Sequence, residues 1–238
     1  MTRKPLLIDW YCCQGGAARG YADAGFEVVG VDIKPQPHYP FQMIVADVLN
    51  MPDGLLAAAD AHHASPPCQG LTEMNNDKSR HLNLIPATRA KLQRLGKPYV
   101  IENVRGAKAH LQNPVSLFGT MFGNSCTDTQ GRTFVLSRER CFEANWPLSA
   151  PVDPGPQGRP IANVIGGHFR VRSGDFRTGK GTGRTVDLPG ENRCALAAEL
   201  MGMEWATMEG MSEAVPPSYT REIGRQLMFH MATQRAAA

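Results

Sequence analysis

The sequence predicts an α/β domain, a mostly parallel sheet flanked by helices, with a small loop-rich region late in the chain. Three observations lead there. A strand, a glycine-bearing turn, a helix and a second strand closed by an acidic residue follow one another within residues 5–32. Polar residues then recur just after strand carboxyl ends, at Asp9, Asp32, Asp47, Cys68 and Glu102, where an open parallel sheet forms its ligand crevice. Residues 147–192 are rich in Gly, Pro and Arg, with weak periodicity and one short apolar patch at Ile161–Ile165.

Taken in order, Pro5–Asp9 reads as a buried strand and Cys13-Gln14-Gly15-Gly16 as the turn after it. Ala17–Ala24 reads as a helix stopped by Gly25, and Glu27–Val31 as a strand finishing at Asp32. Such a βαβ unit commonly binds an adenosine, its glycines admitting close backbone approach and its carboxylate taking ribose hydroxyls. The glycine spacing is not G-x-G-x-x-G, which argues against a nicotinamide cofactor. Met43–Ala46 and Ala61–Ala64 are further short strands. Ala87–Leu95 is a helix ended by Gly96, and Tyr99–Ile101 a strand leading into Glu102-Asn103. Cys194–Met203 and Tyr219–Met231 read as helices, the latter with apolar residues at Ile223, Leu227 and Met231. The resulting division is a core over 1–146, a small region over 147–192, and helices over 193–238 that return to the core.

A chain of 238 residues is long enough for one well-buried domain. It has no run of eighteen apolar residues, so no membrane span, and no signal-peptide pattern, which points to the cytoplasm. Six cysteines without C-x-x-C spacing make neither a disulfide scaffold nor a structural zinc site, and no metal is expected. The net charge of +3 excludes little. Its distribution is more telling: Arg159, His168, Arg170, Arg172, Arg177, Lys180, Arg184 and Arg193 face only Asp175, Asp187 and Glu191, as a phosphate-contacting surface would.

Ser65-Pro66-Pro67-Cys68-Gln69 stands out chemically. Two prolines stiffen the loop and remove two backbone donors, so a thiol is presented at the end of a strand. His62 and His63, just before it, read as strand-end residues without catalytic duty. Cys12, Cys13 and the methionines at 201, 203, 208 and 211 read as packing residues.

Together these motifs resemble the DNA cytosine-C5 methyltransferases, particularly the short forms found in bacteriophage genomes. The residues that carry the resemblance are Asp9–Gly16 with Gly20 and Ala24-Gly25-Phe26, then Ser65–Gln69, Glu102-Asn103-Val104 and Ser137-Arg138-Glu139-Arg140. Glu199–Met203 and Val215-Pro216-Pro217 through Ile223-Gly224 follow in the family's order. The resemblance implies a Rossmann-like S-adenosylmethionine-dependent fold and transfer of methyl to C5 of a flipped cytosine, leaving S-adenosylhomocysteine. Cys68 would add to C6, Glu102 would supply a proton at N3 with a pKa raised by burial, and Arg140, with Arg138, would stabilise charge on the ring. Asn103 would support the loop.

The same resemblance places the cofactor at Asp9, Tyr11, Gly15, Gly16, Asp32, Ile33, Asp47, Pro67, Glu213 and Val215. Double-stranded DNA would meet Gln69, Arg170, Arg172, Arg177, Lys180 and Arg184, the last five from the recognition region. A monomer is expected. The family's usual asparagine is replaced here in Ser212-Glu213-Ala214-Val215, so Glu213 could tune which sulfonium cofactor is accepted. The short recognition region implies a short or relaxed target site. Methylation of RNA cytosine, modification with a variant sulfonium cofactor, and a catalytically silent DNA-binding relative are the alternatives.

Overall fold

A computed structural model describes residues 3–67, 82–172 and 192–237, with the side chains of Arg172 and Ala237 left out. Its central sheet has seven strands in the order β3-β2-β1-β4-β5-β9-β6. These are β1 (Leu6–Trp10), β2 (Glu27–Asp32), β3 (Gln42–Val45), β4 (Ala61–Ala64), β5 (Tyr99–Val104), β6 (Val115–Leu117) and β9 (Arg140–Ala144). The first five run parallel, while β9 lies antiparallel between β5 and β6. Every strand and helix anticipated within residues 5–104 is present, most with bounds shifted by one to three residues at either end. Strands β6 and β9 carry no sequence pattern strong enough to announce them, because each is defined by its partner across the sheet.

Alternation along β1 assigns the two faces. Leu7 packs with Val28, Val100 and Phe142 beneath α1 (Gly16–Asp23) and α6 (Pro217–Ala237), through Ala18, Tyr21, Tyr219 and Ile223. Ile8 and Trp10 point the other way, toward Leu56 of α2 (Asp53–Leu56) and Ile85 and Leu92 of α3 (Ile85–Leu95). Burial on both faces is why these strands read as near-continuous apolar runs. Helix α3 stops where Gly96 adopts the left-handed conformation, at φ 65°.

A second sheet, in the order β11-β10-β8-β7, comprises β7 (Ser125–Thr127), β8 (Thr133–Leu136), β10 (Ile161–Ile165) and β11 (His168–Arg172). The hairpin β10–β11 falls inside residues 147–192, yet β7 and β8 come from before residue 147. Chain segments on both sides of that position therefore share one core. Phe134, Val164 and Phe169 pack there against α4 (Arg193–Met201) and α5 (Met208–Glu213), and Met201, Met203 and Met211 fill it. Asn192 caps α4 by accepting from the Ala195 amide at 3.2 Å, and Thr207 caps α5 from the Gly210 amide at 3.1 Å. No helix of the described residues is long and apolar enough to cross a membrane.

Candidate active site

Strand order reverses at β1, with β2 on one side and β4 on the other, so the crevice opens at the carboxyl ends of β1 and β4. The turn that follows β1 is sharply bent. Tyr11 and Cys13 adopt positive φ, 58° and 46°, and Gly15 sits at 80°. Asp32, at the end of β2, holds the turn: its Oδ2 accepts from the Cys13 amide and its Oδ1 from the Lys34 amide, both at 3.0 Å. Gln14 ties the same turn to the C-terminal segment. Its Oε1 accepts from the Thr207 amide at 2.9 Å, and its carbonyl accepts from Trp205 Nε1 at 2.8 Å. This Gln14–Thr207 clamp left no signal in the sequence, since its partners lie far apart in the chain.

Ile33 follows Asp32 and is 67% exposed, a large apolar side chain open to solvent beside the crevice. Tyr11 is anchored through its hydroxyl to Thr88 Oγ1, 2.9 Å away on α3. Asp47 accepts from the Leu49 amide at 3.0 Å and from Asn50 Nδ2 at 2.8 Å, closing the turn after β3. Glu213, at the end of α5, takes a hydrogen bond from Cys13 Sγ at 3.4 Å. The Cys13 thiol is pushed up to about 12, by burial and then by Glu213. The C-terminal segment thus reaches the β1–α1 turn.

Four expected cofactor positions have structural work that the sequence did not reveal. Asp9 is 1% exposed on the α1 side of the sheet, where its carboxyl takes a hydrogen bond from the Ala18 backbone. Burial, then Asp32, and less strongly Glu102, hold it well above the usual carboxylate range. Gly16 makes room for the chain itself: a Cβ there would lie 2.2 Å from the Val215 carbonyl oxygen. Gly15 similarly abuts Pro40 and Tyr39, at 2.7 and 2.9 Å from an ideal Cβ. Val215 is buried, so its part in this contact is played by the backbone.

At the other side of the crevice, Pro66 is buried and Pro67 exposed. Asn103 Nδ2 donates to the Pro66 carbonyl at 2.9 Å, so the residue after Glu102 fixes the loop leading toward Cys68. Cys68 and Gln69 themselves lie outside the described residues, as do Arg177, Lys180 and Arg184. Glu102 is 5% exposed. Burial raises its pKa, opposed first by the Arg140 cation and then by a hydrogen bond from Ser65. Arg140 Nε stands 3.0 Å from Glu102 Oε1, because antiparallel pairing sets Val104 against Arg140 and Glu102 against Phe142.

Arg138 is turned away from this pair, contrary to its expected place on the base. It is 3% exposed, and its guanidinium donates to the backbone carbonyls of Val164 and Ser212. It ties β10 to the end of α5, and Tyr219 Oη in turn donates to the Arg138 carbonyl. The sequence offered two arginines in one motif; only strand register shows which one meets the carboxylate. Arg170 lies on β11, and Arg172 pairs with Ile161 at the strand end.

No family model matches the chain, and no curated protein matches it in sequence. Solved structures do resemble it. A candidate DNA modification methyltransferase encoded within an E. coli prophage aligns with a TM-score of 0.59 at 15% identity, over 97% of this chain and 100% of that one. The Entamoeba histolytica methyltransferase EhMeth gives 0.57 at 12% identity, over 98% and 99%. The S. pombe Dnmt2 methyltransferase gives 0.52 at 13%, over 97% and 99%. Over almost its whole length the chain therefore has the Rossmann-like fold of these methyltransferases.

Proposed function

We propose that this chain is a DNA cytosine-C5 methyltransferase using S-adenosylmethionine. One observation carries the reading: a buried carboxyl of raised proton affinity, Glu102, stands 3.0 Å from Arg140 Nε, and the next residue holds the Pro-Pro segment that leads into a cysteine. A thiolate beside a carboxyl that keeps its proton suits addition to an electron-poor ring. The described part of the crevice fits an adenosine, with Asp32 at a strand end and the exposed Ile33 available to pack on a base. The methyltransferase neighbours favour the same cofactor.

In this reading Cys68 adds to C6 of a flipped cytosine while Glu102 gives a proton to N3, leaving C5 electron-rich. Arg140 holds Glu102 in place and balances charge near the ring. The cofactor supplies a sulfonium-bound methyl group, which C5 takes. Loss of the C5 proton to solvent, departure of the thiolate and return of the N3 proton to Glu102 then restore aromaticity and the acid. Asp32 keeps the β1–α1 turn shaped for the adenosine, and the basic stretch over 159–193 contacts phosphates and base edges.

Trapping with duplex DNA containing 5-fluorocytosine, in the presence of S-adenosylmethionine, tests this. Fluorine cannot leave as a proton, so wild type should accumulate a covalent adduct and Cys68→Ser should not. RNA of the same sequence, run in parallel, separates the two nucleic-acid substrates. No adduct with either, beside a control enzyme that traps normally, would overturn the proposal.

A further inference from the structure

Glu213 is a candidate site residue that the proposed reaction leaves without a role, and its setting is unusual. It is the last residue of α5, where the free carbonyls of a helix end disfavour an anion. It is exposed, and among the described residues no arginine, lysine or histidine forms an ion pair with it.

The carboxylate is nevertheless held in place. Its Oε2 accepts from Cys13 Sγ at 3.4 Å, and that thiol, pushed up to about 12, keeps its proton at neutral pH. Helix α5 is itself fastened to the β1–α1 turn. The Thr207 amide donates to Gln14 Oε1 at 2.9 Å, and Gly210 lies so close that an added Cβ would run into the Gln14 amide group. One residue before Glu213, Ser212 Oγ accepts from the Gly167 amide at 2.8 Å and donates to the Met208 carbonyl at 3.0 Å. A fixed anion in an electrostatically poor place is a local conflict of the kind found at functional positions.

Cys13 stands between two carboxylates: its amide donates to Asp32 Oδ2 at 3.0 Å and its thiol to Glu213. With the ribose hydroxyls of the cofactor on Asp32, the group bonded to the ribose 5′ carbon lies toward Cys13 and α5. In S-adenosylmethionine that group is a sulfonium cation; in S-adenosylhomocysteine it is a neutral thioether. An anion nearby attracts the first and is nearly indifferent to the second. We propose that Glu213 is a specificity residue that reads the charge on the cofactor sulfur, favouring the sulfonium substrate over the thioether product so that product competes less well for the site. The proposal rests on the use of S-adenosylmethionine and adds to it a means of telling substrate from product.

Calorimetric titration of the full-length protein with three ligands tests this without turnover. They are S-adenosylmethionine, S-adenosylhomocysteine, and sinefungin, which carries an ammonium group where the sulfonium methyl would be. Glu213→Gln keeps an acceptor for the Cys13 thiol and removes the charge. It should weaken both cationic ligands roughly three- to tenfold and S-adenosylhomocysteine by less than about twofold. Glu213→Asp should keep most of the preference. The melting temperature of empty Glu213→Gln should hold or rise, because an anion leaves a helix carboxyl end, so lost affinity is not lost fold. In wild type the preference for the sulfonium should also shrink as salt rises from about 0.05 to 0.5 M, and this measurement serves if the variant fails to fold. Equal weakening of all three ligands in Glu213→Gln would put the carboxylate on their shared amino-acid tail and overturn the proposal. Three unmoved affinities, or a salt-independent preference in wild type, would overturn it as well. Wild type that binds none of the three would instead defeat the cofactor assignment, and the proposal with it.

Discussion

Substituting Gly16 with alanine separates two explanations of the same glycine. If it is there for a ligand, the substitution weakens cofactor binding and leaves the empty protein intact. The structure says otherwise, because the added Cβ would sit 2.2 Å from the Val215 carbonyl oxygen and 3.0 Å from Met203 Sδ. Ordinary contact begins at 3.4 Å, and the nearer atom is backbone, unable to rotate aside. Helix α1 and the segment before α6 would have to part by about 1 Å, an overpacking that costs about 1–3 kcal/mol. Alanine's better helix propensity offsets little of this at the first helical position. For a domain of this size the melting temperature should fall by roughly 3–10 °C without any ligand. Calorimetric melting of the empty protein, followed by titration with S-adenosylmethionine, measures both quantities. An unchanged melting temperature together with weakened binding would refute the packing argument and return Gly16 to the cofactor.

Three further substitutions test the site. Ile33→Ser should leave stability within about 0.5 kcal/mol, since the residue is already exposed, yet weaken S-adenosylmethionine roughly three- to tenfold in a calorimetric titration; undiminished affinity would remove Ile33 from the site. Arg138→Met should lower the melting temperature, by about 2–4 kcal/mol in stability, with kcat per folded molecule within a few-fold of wild type. A large loss of kcat at unchanged melting temperature would restore Arg138 to catalysis. Arg140→Met removes the cation that lowers the Glu102 pKa, so the folded-state value rises further above the ordinary 4.5 of a glutamate. A carboxyl that binds its proton more tightly when folded favours folding at low pH, and that advantage disappears as pH climbs through the folded value. The stability deficit of Arg140→Met should therefore widen only once pH passes the wild-type folded value, itself above 4.5, and grow toward the roughly 3–5 kcal/mol of a broken buried pair. Thermal melts across pH 4.5–9 read it, and a deficit independent of pH would contradict the pairing with Glu102.

Much was legible because it is local. Apolar runs of strand length, the glycines at 25 and 96 and the acidic residue closing β2 announce the strands and helices over 5–104 without reference to distant parts of the chain. Pro66-Pro67 and Glu102-Asn103 likewise show their chemistry in adjacent residues. What the tertiary structure alone decided involves partners far apart in sequence. Strand β9 enters antiparallel beside β5, and that register gives Arg140 to Glu102 while Arg138 goes to Val164 and Ser212. Gly16 meets Val215, and Gln14 meets Thr207. His63, unremarkable as a strand residue, meets the Tyr21 hydroxyl once α1 packs over β4. Periodicity records which face of an element is buried, but not which residue of another element lies against it. That is set by strand pairing and helix packing, where this chain's candidate site is assembled.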